Sequence, residues 1–240
     1  MKNNSWKDIW QEGSIDQEMS QISREYTYTE IFDKYFKKNK KILEAGCGYG
    51  RYCFYLEKKG VRCFGIEIEK NALEVGKRYA KKNQLKSKLI LGDVKKLPFE
   101  DNIFDGYMSL GVIEHFYSLN DIQKAFDEAY RVLKKGGYAF FSVPNPYAVT
   151  FWVPKITGKE KVYHRSIHKK HLKKFAQASG FQIISLRYRD FIHPMHTLKV
   201  WITKKDTNDS YNLYKKTFKD FENYPVIQNF CSGLHMLIKK

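Results

Sequence analysis

Ile42–Tyr52 reads ILEAGCGYGRY. An apolar run, Lys41-Ile42-Leu43, leads into an acid at Glu44, and three glycines follow on alternate positions, Gly46, Gly48 and Gly50. A helix-like segment, Arg51 to Lys59, comes next and stops at Gly60. The pattern predicts a strand, a glycine turn and a helix, the arrangement that brings backbone amides close to a bound nucleotide. Glycine suits such a turn because, lacking a Cβ, it reaches positive φ cheaply and lets a ligand press against the main chain. The spacing separates two readings. A dinucleotide fingerprint, G-x-G-x-x-G, would place its third glycine where this chain has Arg51. The pattern here is E-x-G-x-G-x-G.

Outward from the turn, strand-like and helix-like segments alternate. Val61–Glu67, Lys88–Leu91, Phe104–Leu110, Tyr138–Val143, Phe181–Asp190 and Leu234–Lys239 read as further strands. Lys70–Asn83 reads as an amphipathic helix, Asp121–Lys135 as a helix closed by Gly136-Gly137, and His168–Ser179 as a helix stopped by Gly180. Such alternation predicts an α/β fold with a doubly wound, mostly parallel, seven-stranded sheet, whose ligands sit beyond the carboxyl ends of the strands. Two connections, 145–167 and 191–232, leave such ends and are expected to lie over the crevice as substrate-covering additions. Helix is expected in the second, around Asp209–Phe221. The expected organisation is an N-terminal helical flap over residues 1–38, followed by one domain over 39–240. Trp6, Trp10, Tyr26 and Tyr28 suggest the flap, and simple packing of these aromatics onto the sheet is the competing reading.

The chain has 240 residues and a formal charge of +17, from 43 basic and 26 acidic residues. Such a charge suggests a nucleic-acid partner. Against this, 35 of the 43 basic residues are Lys and only 8 are Arg, whereas phosphate and base recognition leans on the guanidinium fork. No apolar run reaches the length of a membrane span, and the N-terminus lacks the apolar centre of a signal peptide. The four cysteines, Cys47, Cys53, Cys63 and Cys231, form no C-x-x-C pair. Free thiols, a cytoplasmic location and no metal site are therefore expected.

Two further stretches, LGDVKKLPFEDNIFDGYMSLGVIEHF (Leu91–Phe116) and RVLKKGGYAFFSVPNP (Arg131–Pro146), complete a resemblance. With the glycine turn they resemble the class I S-adenosylmethionine (AdoMet)-dependent methyltransferases, in the small-molecule "type 11" branch that includes quinone O-methyltransferases. The resemblance covers residues 40–146 and more loosely 165–190. It implies AdoMet as cofactor, with Glu44, Gly46, Gly48 and Gly50 at its methionine portion, Glu67 at the ribose, Asp93 and Val94 at the adenine, and Leu110 as a backbone contact. Chemistry agrees for three of these. A ribose diol wants a carboxylate such as Glu67, at the end of the second strand. An adenine amino group wants an acceptor such as Asp93, and its ring wants an apolar sandwich, for which Ile68, Val94 and Leu97 are candidates. A solvated strand-end acid at Glu67 and a turn cap at Asp93 are the plainer alternatives.

Methyl transfer from a sulfonium is an in-line displacement whose activated group the cofactor supplies. Positioning alone can lower the barrier by up to roughly 7–11 kcal/mol. An alcohol or weakly acidic phenol also wants a base, typically worth about 10²–10⁴-fold. Glu114-His115, directly after the fourth strand, and His164, His168 and His171, around the first addition, are the candidates. His115 packing against the next helix is the competing role. His164, His168 and His171 lie among eight basic residues and one acid, Glu160. With Tyr147, Trp152 and Tyr163 this stretch is expected to receive an anionic or aromatic acceptor, unless it is simply a solvated Lys-rich face. Asn145-Pro146-Tyr147 is similar to the Asn-Pro-Pro-Tyr signature of amino-methylating nucleic-acid enzymes, but it lacks the second proline and follows the fifth strand. The expected function is methylation, at oxygen, of a small-molecule or lipid-linked acceptor. The rivals are an RNA or protein methyltransferase using the basic surface and a non-catalytic AdoMet-binding partner subunit.

Overall fold

The strand that leads into the glycine turn is β1, Lys41–Ala45, and its last four residues are buried, as a parallel strand covered by helices on both faces requires. The structure is a computed structural model and describes residues 10, 14–22, 25–156, 158, 162–189 and 231–240. Trp6, Glu160, the helix expected around Asp209–Phe221 and nearly all of the second addition lie outside the described residues.

Six further strands join β1: β2 (Arg62–Glu67), β3 (Lys88–Leu91), β4 (Phe104–Leu110), β5 (Leu133–Pro144), β6 (Gln182–Arg189) and β7 (Gly233–Lys239). They form one sheet in the order β3-β2-β1-β4-β5-β7-β6. β1 to β5 pair in parallel, and β7 runs antiparallel to both β5 and β6. The sheet therefore grows in opposite directions from β1 and from β4, and a crevice opens where these two strands part at their carboxyl ends.

Helices cover both faces. α1 (Ile15–Gln21), α2 (Tyr26–Tyr35), α3 (Arg51–Lys58) and α4 (Lys70–Lys82) contribute Ile15, Phe32, Phe54 and Leu73 to one buried cluster. α5 (Leu119–Val132) and α7 (Lys169–Ala178) contribute Phe126, Leu172 and Phe175 to the other. A further helix, α6 (Val149–Ile156), follows β5 inside the first addition.

One boundary differs from the sequence expectation. The helix expected to run to Lys135 and close at Gly136-Gly137 ends at Val132. Leu133 is already extended and pairs with Phe104, after which the register skips to Gly106 opposite Tyr138. The two glycines serve this irregularity instead. Gly136 takes φ +82°, and a Cβ on Gly137 would meet the Lys134 and Asp105 carbonyls at 2.9 and 3.0 Å. The early aromatics also divide. Tyr28 packs onto the sheet, with its ring against Tyr52, Phe140 and His235 and its hydroxyl 3.1 Å from Ser142 Oγ. Trp10 lies at the crevice.

Candidate functional site

The turn after β1 is built as its glycines require. Gly46, Gly48 and Gly50 all have positive φ, at +77°, +55° and +85°. The amides of Gly46 and Cys47 donate to the Ile66 carbonyl at 2.8 and 3.0 Å, which ties the turn to the end of β2. A Cβ on Gly46 would lie 2.4 Å from Val112, and one on Gly48 would lie 2.4 Å from the Trp10 ring. The Trp10 indole rests on the turn, edge-on to Tyr49 at 4.7 Å, and Tyr49 Oη donates to the Trp10 carbonyl at 2.7 Å.

Two hollows flank the turn. The first takes its walls from Glu67 and Ile68 after β2, Asp93 and Val94 after β3, and Val112 and Phe116 after β4. The second takes Glu18, Glu44, Gly48, Arg51, Leu110, Glu114 and His164. Trp10, Gly46, Gly111 and His115 border both. The structure thus brings Glu67, Ile68, Asp93 and Val94 to one side, and Glu44, Gly48, Leu110, Glu114 and His164 to the other. Gly50 and His168 border neither. Gly50 is the left-handed residue at the start of α3, where a Cβ would meet Leu89 at 2.8 Å. His168 precedes α7 and places Nδ1 3.1 Å from the Tyr147 hydroxyl.

The acids divide by environment. Glu67 accepts from the amides of Gly48, Ile68 and Glu69 at 2.8, 2.9 and 2.9 Å. A carboxylate has about four acceptor positions, so this one keeps room for a single further donor. Burial raises its pKa, and those three amides oppose the rise. Asp93 does cap a turn, accepting from Lys95 N at 2.9 Å, and it stays on the crevice wall. Glu44 lies beneath the turn, accepts from Cys53 N at 3.1 Å, and is pushed up to about 8 by burial.

Glu114 is the least satisfied. It is 1% exposed, and its Oε2 is buried with no hydrogen-bond partner among the described residues. Burial pushes its pKa up to about 8. Its Oε1 lies 3.9 Å from His115 Nε2. His115 Nδ1 is 2.8 Å from the Tyr163 carbonyl, an acceptor only, so Nδ1 carries a proton and Nε2 faces the acid. The His164 ring meets the His115 ring at 4.5 Å. Such a pair can take a proton from a donor that enters the second hollow.

Sequence reasoning missed the group opposite. Arg51 Nη2 lies 3.0 Å from Glu25 and Arg51 Nε lies 3.7 Å from Glu18, while its guanidinium covers the Tyr52 ring at 4.4 Å. The one available signal was Arg51 itself, standing where a dinucleotide site would have glycine. The lysines offered for an anionic acceptor stand elsewhere. Lys169 lies over the Tyr188 ring at 4.1 Å, Lys170, Lys173 and Lys174 are exposed on α7, and none borders either hollow.

Residues 43–141 match a family described as a methyltransferase domain, Methyltransf_11. Norajmaline N-methyltransferase of Rauvolfia serpentina is 31% identical over 48% of this chain and 39% of its own. The ubiquinone biosynthesis O-methyltransferase of Pelagibacter ubique is 34% identical over 52% of this chain and 50% of its own. The matched region thus spans half or less of these two relatives. Among solved structures, a SAM-dependent methyltransferase from Archaeoglobus fulgidus superposes with a TM-score of 0.64 at 16% identity, covering 98% of this chain and 100% of the other, a likeness of fold. With the glycine turn at the end of β1 and the acids at the ends of β2 and β3, the family match supports a class I AdoMet-dependent methyltransferase domain of type 11 across residues 43–141.

Proposed function

We propose that this protein transfers a methyl group from AdoMet to a hydroxyl oxygen of a small-molecule or lipid-linked acceptor, by in-line displacement. The observation that carries the reading is the pair of hollows meeting at Trp10, Gly46, Gly111 and His115. One offers the acceptors and apolar walls that a nucleoside wants, and the other holds Glu114, whose Oε2 has no hydrogen-bond partner among the described residues. Bound AdoMet supplies a methyl group activated on a sulfonium. The residues present fit it. Gly46 and Gly48 leave the turn bare where any side chain would intrude, and Glu44, with Gly50 shaping the turn, supports the methionine end. Glu67 offers one acceptor position to the ribose. Asp93 accepts from the adenine amino group between Ile68 and Val94, and the Leu110 backbone borders the far side.

Glu114 and His115 then act on the acceptor. Glu114, half ionised near pH 8, takes the hydroxyl proton as the oxygen becomes nucleophilic, and His115, 3.9 Å from that carboxyl, borders the same hollow. His164 closes the same wall, and His168 orients Tyr147 outside it. The Trp10 ring lies over the turn at Gly48. Among the described residues no helix is long and apolar enough to cross a membrane, and no His, Cys, Asp and Glu group suited to a metal ion is present.

The test is transfer of a labelled methyl group from AdoMet into cell extract, separated into lipid-extractable, small-molecule, RNA and protein fractions. Label in the first two supports the reading, and label in RNA or protein overturns it in favour of the basic surface. AdoMet binding without label anywhere would point to a non-catalytic subunit. Glu67→Ala and Asp93→Ala should each weaken AdoMet binding by calorimetry, and Glu114→Gln should preserve binding while lowering turnover about 10²–10⁴-fold. Wild-type affinity in both crevice variants would refute the site.

A further inference from the structure

Eight large apolar side chains stand exposed among the described residues, and all but Ile184 lie at the carboxyl ends of the strands or in the connections that leave them. The most exposed, Ile156 at 80%, is on α6. Trp152 shares its face of the helix, four residues earlier, while Phe151 is turned inward and buried. The Trp152 indole N–H is already committed to the Pro146 carbonyl at 2.7 Å, so the rest of the ring is what α6 presents.

The exposed side chains on α6 and after β4 form a rim beside the second hollow and reach it through His164 and its neighbour Tyr163. Lys155 Nζ donates to the His164 carbonyl at 2.7 Å and lies 4.4 Å over the Phe151 ring. His164 borders the hollow. Next to it, Tyr163 stacks on exposed Tyr117 at 4.5 Å, and Arg165 Nε donates to the Phe116 carbonyl at 3.2 Å. Tyr147 is exposed next to His168. Charge complements this apolar rim. From Pro144 to Phe181 the sequence holds eight Lys and Arg residues and one acid, and Lys170, Lys173 and Lys174 project from α7 to solvent.

We propose that this rim is a docking surface for an anionic lipid bilayer. Trp152, Ile156, Tyr117 and Tyr147 enter the interfacial zone, and the lysines of α7 meet the headgroups. A short helix with an apolar face and flanking cations lies in the bilayer interface, and its binding grows with both buried apolar area and surface charge. A nucleic-acid groove would use the lysines but would gain nothing from a bare isoleucine. Docked this way, the mouth of the second hollow opens towards the bilayer, so the acceptor is a lipid-linked molecule that need not leave it. That last step rests on the function proposed above, and the docking does not.

The experiment is sedimentation of the whole protein with vesicles of phosphatidylcholine, with and without about 30% phosphatidylglycerol, with AdoMet affinity measured on the same samples. Wild-type protein should partition onto the anionic vesicles and much less onto the neutral ones. Ile156→Glu, at a site too exposed to disturb folding, should weaken that partition at least about tenfold, as should K170E/K173E/K174E. AdoMet affinity should stay unchanged in both. Failure of the wild-type protein to bind anionic vesicles would overturn the proposal. So would wild-type binding by Ile156→Glu, which would leave α7 as a polyanion site, with RNA as its candidate ligand. Undiminished AdoMet affinity in Glu67→Ala, with docking intact, would overturn the crevice assignment and not the rim.

Discussion

Gly48 has room for no side chain. Its φ of +55° costs an L-residue about 1–2 kcal/mol, and a Cβ would also press on Trp10 at 2.4 Å. Gly48→Ala should therefore lower thermal stability and shift Trp10 emission. Adding Trp10→Ala should relieve the collision but leave the backbone cost, which a double-mutant cycle separates. Full additivity would mean that Trp10 does not rest on the turn in solution. Glu114 makes a second prediction at this scale. Burial raises it from 4.5 to about 8, so between those values the folded state keeps a proton that the unfolded chain has lost. Its stabilising effect is complete below about pH 4.5 and is lost as pH rises through 8, at about 1.4 kcal/mol per pH unit within the window. Glu44 acts in the same direction. Denaturant titrations from pH 5 to 8 should show a shallower decline in Glu114→Gln than in the wild-type protein. An unchanged slope would show that Glu114 is ionised throughout.

Among the elements, α5 has the clearest start. Ser118 Oγ accepts from Asn120 N at 3.1 Å, and the helix buries Ile122, Phe126 and Ala129 against the sheet. Ser118→Ala should cost about 0.5–2 kcal/mol of stability, measured by chemical denaturation, and no loss would mean that water caps the helix equally well. The strands and main helices were legible in the sequence because apolar period and glycine punctuation agreed, as in Lys88–Leu91 and Phe104–Leu110. Gly136-Gly137 misled because two glycines serve a bulge as readily as a helix end. The acids at the ends of β2 and β3 were legible because topology puts strand ends together. The Arg51, Glu18, Glu25 and Tyr52 cluster was not, since its members come from three segments whose approach no local pattern records. Likewise, the exposed face of α7 and the walls of the hollows cannot be told apart from the identity of a lysine or histidine alone.

The molecule as a whole separates its charges. Two hollows inside a chain of net charge +17 are lined by five carboxylates, Glu67, Asp93, Glu18, Glu44 and Glu114, against Lys95 and Arg51. Burial keeps Glu44 and Glu114 largely protonated below about pH 8, so the contrast between the hollows and the basic exterior deepens as pH rises through that value. Lys41, Arg62, Lys86 and Lys88 gather at the opposite, amino end of the strands. The sheet order has another consequence, for synthesis on the ribosome. β7 lies between β5 and β6, so among the described residues β6 has no neighbour to pair with, and β5 keeps an open edge, until Gly233–Lys239 has been made. The crevice strands can assemble as soon as β4 and β5 emerge, while the outer third of the sheet waits for nearly the last residues of this sequence. During that interval a nascent chain has a finished cofactor crevice and an unprotected strand edge, which is the stretch a chaperone would have to shield.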